Sequence, residues 1–181
     1  MLDLKKYLEN YPELIFSDNS SEKLQNLCSE IINFKKKIFV FGNGGSASIA
    51  DHFAVDMTKN ANITTLSLNN ASLITCLAND FGYEEWIKKA LEMYANEGDM
   101  VFLISSSGKS KNVINACNYA NKNNLKTITF TGFDTNNDLK KLGKINFWVD
   151  SKAYNIVENI HQIWILSLVD LIIGKSEYSA S

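Results

Sequence analysis

Asp99-Met-Val-Phe-Leu-Ile-Ser-Ser-Ser-Gly-Lys-Ser110 decides how this chain reads. The run from Met100 to Ile104 is apolar without alternation, the pattern of a strand covered on both faces of a parallel sheet. It breaks into Ser105, Ser106, Ser107 and Ser110, four hydroxyls within six residues, and a helical stretch follows to about residue 123. Hydroxyls and free N–H groups at a helix start form an anion site, and the helix dipole favours negative charge there. One serine is enough to cap a helix, so four exceed what capping needs. The loop lacks the first glycine of GxxxxGK[ST], so a nucleoside triphosphate is not implied.

A second unit of the same kind lies upstream. Lys37-Ile-Phe-Val-Phe41 is a short apolar run that ends in Gly42-Asn-Gly-Gly-Ser46, and a helix is expected over about 46–60. Glycines there allow a tight turn and close backbone approach to a ligand. Ala47 stands where GxGxxG requires glycine, which leaves a dinucleotide reading weak. Further strands are expected at 64–68, 126–131 and 147–149. Helices are expected at about 2–9, 20–35 (with Ser20 or Ser21 as cap), 71–78, 83–96 and 155–174, with a loop at 79–82. Strands alternating with helices predict an α/β fold, a parallel sheet of about five strands with helices on both faces. Ligands of such sheets lie beyond the carboxyl ends of the strands, where both glycine- and serine-rich loops fall.

The composition sets limits. The chain has 181 residues, 45% of them hydrophobic and 21% charged, with a net charge of −2. That fits one domain, residues 1–181, with a sizeable core. The 18 basic residues are scattered, and the longest run, Lys35 to Lys37, reads as a solvated helix end. No basic face for nucleic acid is expected. Cys28, Cys76 and Cys117 form no CxxC pair, and a reducing, cytoplasmic setting is expected. The N-terminus lacks the apolar segment of a signal peptide. The apolar run 163–173 is interrupted by Ser167 and Asp170 and reads as too short for a membrane span.

Only two histidines occur. His52 and Asp56 are four apart, so they share one face of the helix after the glycine loop. Glu158 and His161 are three apart on the last helix. Four such groups suit either a divalent metal, with His52, Asp56, Glu158 and His161 as ligands, or an acid–base set.

These segments together resemble the phosphoheptose isomerases, a family of SIS-domain proteins. The resemblance runs through residues 42–47, His52-Phe-Ala54, Asn79-Asp-Phe-Gly82, 98–110, Thr131-Gly132 and Glu158-Asn-Ile-His161. It implies conversion of sedoheptulose 7-phosphate to a heptose 7-phosphate for bacterial surface polysaccharide, in a homotetramer with active sites at subunit interfaces. It implies phosphate binding by Ser105, Ser106, Ser107 and Ser110, and sugar contacts at Asn43, Gly44, Gly45, Ser46, Asn79, Asp80 and Glu158. Residues 1–35 would be oligomerisation helices and 36–181 the sugar-phosphate-binding core. Metal-binding members hold zinc, so zinc is the one cofactor implied.

The departures fall at the chemistry. The family's glutamate four residues past His52 is Asp56 here, its glutamine is Glu158, and its second catalytic histidine is Leu166. Aldose–ketose isomerisation needs a base at carbon and an acid serving two oxygens. Leu166 supplies neither, and Asp56 is shorter than glutamate by about 1 Å of reach. Two arrangements are open. Asp56 and Glu158 can form a carboxylate pair with split pKa values beside His52, or the four residues can bind a metal. A second functional class is also open: a non-catalytic member of the family that binds a sugar phosphate or a protein, of the DnaA-binding initiation type.

Overall fold

The computed structural model describes residues 3–177. The expected helix start at residue 2 and the domain ends at 1–2 and 178–181 lie outside the described residues. In chain order the elements are α1 (Leu4–Glu9), α2 (Tyr11–Ile15), α3 (Ser20–Ile31), β1 (Ile38–Phe41), α4 (Gly45–Lys59), β2 (Thr65–Leu66) and α5 (Ala71–Phe81). There follow α6 (Trp86–Tyr94), β3 (Met100–Ser105), α7 (Lys111–Lys122), β4 (Lys126–Thr131), α8 (Asp138–Leu142), β5 (Ile145–Trp148) and α9 (Tyr154–Ile173).

All strand pairs are parallel, and the sheet order is β2-β1-β3-β4-β5. The chain leaves β1 for β2 on one side and returns to β3 on the other. The connections therefore part between β1 and β3, the switch point where such sheets open a crevice. Alternate residues of each central strand feed two cores. Val40, Phe102, Ile104 and Phe130 meet α3, α4 and α9 on one face. Phe39, Phe41, Val101 and Leu103 meet α6 and α7 on the other. That double burial explains the unbroken apolar runs.

The structure departs from the sequence reading in several elements. Helix α5 runs on through Asn79, Asp80 and Phe81 to Gly82, so the expected loop at 79–82 is a helix end. Asn and Asp favour turns, but the α-helical register continues until Gly82 leaves it. Neither Ser20 nor Ser21 caps α3: Asn19 holds that position, and the Ser20 hydroxyl donates to the Ile15 carbonyl at 2.5 Å. Helix α8 was not expected, although Asn137 caps it by accepting from Lys140 N at 2.9 Å. Its five residues are too few to show a helical period.

Helix α9, with 20 residues and a mean hydropathy of 1.5, has the length and composition of a membrane span. Here it is the core helix of one sheet face, with Val157, Ile160, Trp164, Ile165 and Leu168 buried. Its buried stripe packs against α3 and α4, and Glu158 lies near its start, beside the switch point.

Candidate active site

β1 and β3 end side by side, with Phe41 paired to Leu103. The loops that follow therefore face each other across the crevice. Between them lies a recess of about 120 Å3 lined by Asn43, Ser46, Ile104, Ser105, Ser106, Ser107, Ser110, Tyr154 and Glu158. Ligand sites for whole small molecules usually span about 300–1,000 Å3. This recess admits a phosphate-sized head group and leaves the rest of a ligand outside it. A larger hollow of about 640 Å3 beside it, lined by Lys109, Asp134, Trp148, Asp150 and Lys152 among others, has none of these hydroxyls.

The serine loop is held rigidly from behind. Gly108 N donates to Ser105 O at 2.9 Å, Gly132 N to Ser106 O at 2.9 Å, and Leu139 N to Gly108 O at 3.2 Å. Gly108 has φ +64°, and an added Cβ would meet Asn137 Cβ at 2.8 Å, so only glycine fits. The Ser105 hydroxyl donates to Ser110 Oγ at 3.0 Å, and Ser107 Oγ accepts from Lys109 N at 3.2 Å. Ser106 Oγ is buried and has no hydrogen-bond partner among the described residues. A buried hydroxyl without a partner is costly, and in the turn directly after β3, lining the recess, it is placed to meet a ligand oxygen. Ser110 caps α7 without a side-chain bond, and the first N–H groups of that helix lack intrahelical partners.

Glu158 reaches the recess from α9. Its carboxylate packs on the backbone of Gly45, where an added Cβ would lie 2.9 Å from Glu158 Cδ. Gly45 is thus a close-approach glycine at the start of α4, and the carboxylate sits at that helix's positive end. Gly44 and Gly45 are exposed, and Ser46 is buried beneath them.

His52 and Asp56 form a pair of their own, Nε2 to Oδ2 at 3.2 Å, with Asn60 Nδ2 donating to Asp56 Oδ1 at 3.3 Å. Seven and eleven residues along α4 from Gly45, they stand roughly 10 and 16 Å down the helix axis from the Glu158 contact. The structure does not gather them into the serine recess of their own chain. Asn79 and Asp80 are exposed on the last turn of α5 and bond to each other, Asn79 Nδ2 to Asp80 Oδ1 at 3.0 Å. They do not line the recess; that segment reaches it through Tyr83, whose hydroxyl donates to Asn43 Oδ1 at 3.0 Å.

The expected metal set does not assemble, and His161 is the reason. It is fully buried, Nε2 donates to the Thr131 carbonyl at 3.1 Å, and Phe130 and Trp164 flank the ring. Burial pushes its pKa down to about 4, against the opposing pull of the Thr131 bond. Among the described residues no three His, Cys, Asp or Glu side chains come together as a metal would require. The four residues do not fit zinc in this chain. A shared helix face had suggested proximity, but α9 turns that part of its face into the core.

Sequence reasoning missed Asn112, Tyr83 and Tyr154. Asn112 is buried in the first turn of α7 and exchanges two hydrogen bonds with Asn43. Its only sequence signal was a polar residue at a helix position that faces the sheet.

Known proteins resemble this chain along most of its length. The SIS domain family model matches residues 14–132. The phosphoheptose isomerase of Fusobacterium nucleatum is 34% identical over 165 residues, covering 88% of this chain and 82% of that protein. That of Helicobacter pylori strain P12 is 34% identical over 175 residues, covering 93% and 88%. The structure of phosphoheptose isomerase from Neisseria gonorrhoeae superposes with a TM-score of 0.81 at 26% identity, covering 92% of this chain and 93% of that one. With the family model spanning well over half the chain and relatives above 30% identity along most of it, this chain belongs to the phosphoheptose isomerase family of SIS-domain proteins.

Proposed function

We propose that this chain is an aldose–ketose isomerase of a phosphorylated sugar, turning sedoheptulose 7-phosphate into D-glycero-D-manno-heptose 7-phosphate for bacterial surface heptose. The observation that carries the reading is the buried Ser106 hydroxyl in the turn after β3, without a partner among the described residues, with the Glu158 carboxylate lining the same recess. The first supplies a socket for phosphate and the second a base at a fixed distance from it.

In this reading Ser105, Ser106, Ser107 and Ser110 with the first N–H groups of α7 hold the phosphate. The sugar extends out of the recess past Ser46 and the backbone of residues 43–45. Glu158 takes the proton from C1 of the ketose, giving an enediol, and the proton returns to C2, while a second group moves a proton between O1 and O2. The His52–Asp56 pair is suited to that second role, being half-exposed and hydrogen-bonded. Its distance along α4 requires that it serve the recess of another subunit. A homotetramer with interface sites meets that requirement, and α1, with no buried residue of its own in this chain, has apolar surface to give to such contacts. Asn79 and Asp80 then contact sugar through the same interface. A cytoplasmic setting agrees with three free thiols, of which burial raises that of Cys117 to about 12.

The test is turnover of sedoheptulose 7-phosphate by the purified protein, followed by Glu158→Gln. We expect turnover in the first and its loss, with phosphosugar binding kept, in the second. A wild-type protein that binds the phosphosugar without converting it would leave a binding protein instead.

A further inference from the structure

We propose that Asn112 is a positioning residue that clamps the glycine loop, residues 42–46, against the phosphate loop through a two-bond amide pair with Asn43, with the Tyr83 hydroxyl as a third strut. The inference rests on the sugar-phosphate reading and adds residues that neither the sequence patterns nor the chemistry of isomerisation had assigned.

The two loops carry the two ends of the ligand, yet the sheet does not tie them together. Pairing between β1 and β3 ends at Phe41 and Leu103. Beyond that point the link is made by side chains. Asn112 Nδ2 donates to Asn43 Oδ1 at 2.9 Å, and Asn43 Nδ2 donates back to Asn112 Oδ1 at 3.0 Å, closing a ring of two bonds. Tyr83 OH donates to the same Asn43 Oδ1 at 3.0 Å. Among the described residues these three are the side-chain hydrogen bonds that join residues 42–46 to the rest of the molecule.

The pair is well built for holding. Asn112 is only 3% exposed, so losing its partner would strand a buried amide with no water to replace it. Two donors fill both lone pairs of Asn43 Oδ1. The Asn43 side chain is therefore occupied as a fastener, and the loop offers a sugar its backbone instead. Asn112 sits two residues past Ser110, in the turn whose N–H groups face the phosphate. Its side chain thus ties the loop that meets the sugar to the helix that follows the serine loop, while the serine loop keeps its own backbone braces. A misplacement of about 1 Å between binding and reacting groups can lower a rate about 100-fold. Tyr83, from the loop after α5, brings a third segment to the same point.

The experiment compares wild type, Asn112→Ala and Tyr83→Phe by amide hydrogen exchange and by calorimetry with two probes, sedoheptulose 7-phosphate and inorganic phosphate. In Asn112→Ala we expect exchange across residues 42–46 to rise about tenfold and the Kd for the phosphosugar to rise about tenfold. The Kd for inorganic phosphate, held by the serine loop alone, should stay within about twofold. Tyr83→Phe removes one exposed hydroxyl, keeps the fold, and should move the same readouts in the same direction by a smaller factor; it carries the test if Asn112→Ala fails to fold. Unchanged exchange at 42–46 in the folded variants overturns the clamp, as does an equal loss of affinity for both probes, which a general loss of structure would give. Failure of the isomerase reading shows separately, as wild-type protein without turnover, and leaves the exchange result to stand or fall by itself.

Discussion

At Ser106 a hydroxyl is buried where the described residues offer it nothing to bond. Folding gains nothing from that group, so its removal should spare stability and weaken only the ligand. We expect Ser106→Ala to keep the wild-type melting temperature and to weaken phosphosugar binding by about 1–3 kcal/mol, measured by calorimetry. Gly45 gives the complementary case. A methyl group there meets the Glu158 carboxylate, the far end of a flexible side chain, which can swing away without unfolding anything. Gly45→Ala should therefore fold, bind phosphate, and lose most of its turnover; steady-state kinetics with unchanged activity would remove the Gly45–Glu158 contact from the mechanism. The serine cluster was legible in the sequence because hydroxyls between a strand end and a helix start are a local pattern. The role of His161 was not, because i,i+3 spacing names a shared helix face without saying what covers it.

Helix α9 shows the same limit at the scale of an element. Its sequence marked a long apolar helix ending near residue 174, and the structure ends it at Ile173 with Gly174 as cap. Only packing decided that its middle lies over β4, so that His161 reaches the Thr131 carbonyl at the end of that strand. Thr131 leads directly into Gly132, which holds Ser106 O, so the helix that carries Glu158 is tied to the strand end that braces the phosphate loop. The neutral ring is required there. Its folded pKa near 4 lies below the ordinary 6.5, so the unfolded chain binds a proton that the folded one refuses. This stability is complete above about pH 6.5 and is lost as pH falls toward 4, by up to about 3 kcal/mol. Denaturant titrations at pH 7.5 and pH 4.5 should show the loss, and His161→Leu should flatten the slope between them. An identical slope in the variant would assign the acid sensitivity to other groups.

The whole molecule divides its proposed chemistry between two places, the recess with Glu158 and the His52–Asp56 pair further along α4. If each working site takes Glu158 from one subunit and Asp56 from another, two inactive variants should complement each other. Coexpressed Glu158→Gln and Asp56→Asn chains should recover roughly a quarter of wild-type sites by random pairing. Sites built within one chain would recover none, because no chain in the mixture carries both residues. Stained gels or mass measurement of the mixed oligomer check that both chains are present.

By itself the sequence determined the fold class, the strand-to-helix units and the place of the serine loop at the end of β3. Apolar runs, glycines and serines act through backbone geometry within a few residues, so their order along the chain already carries their effect. The tertiary structure alone decided which of the four acid and imidazole groups meet. It set Glu158 on Gly45, turned His161 into the core and left His52 and Asp56 to each other. It also joined Asn43 to Asn112 across 69 positions of sequence. Those outcomes depend on how helices lie over the sheet, a relation among distant segments that spacing along one helix does not contain.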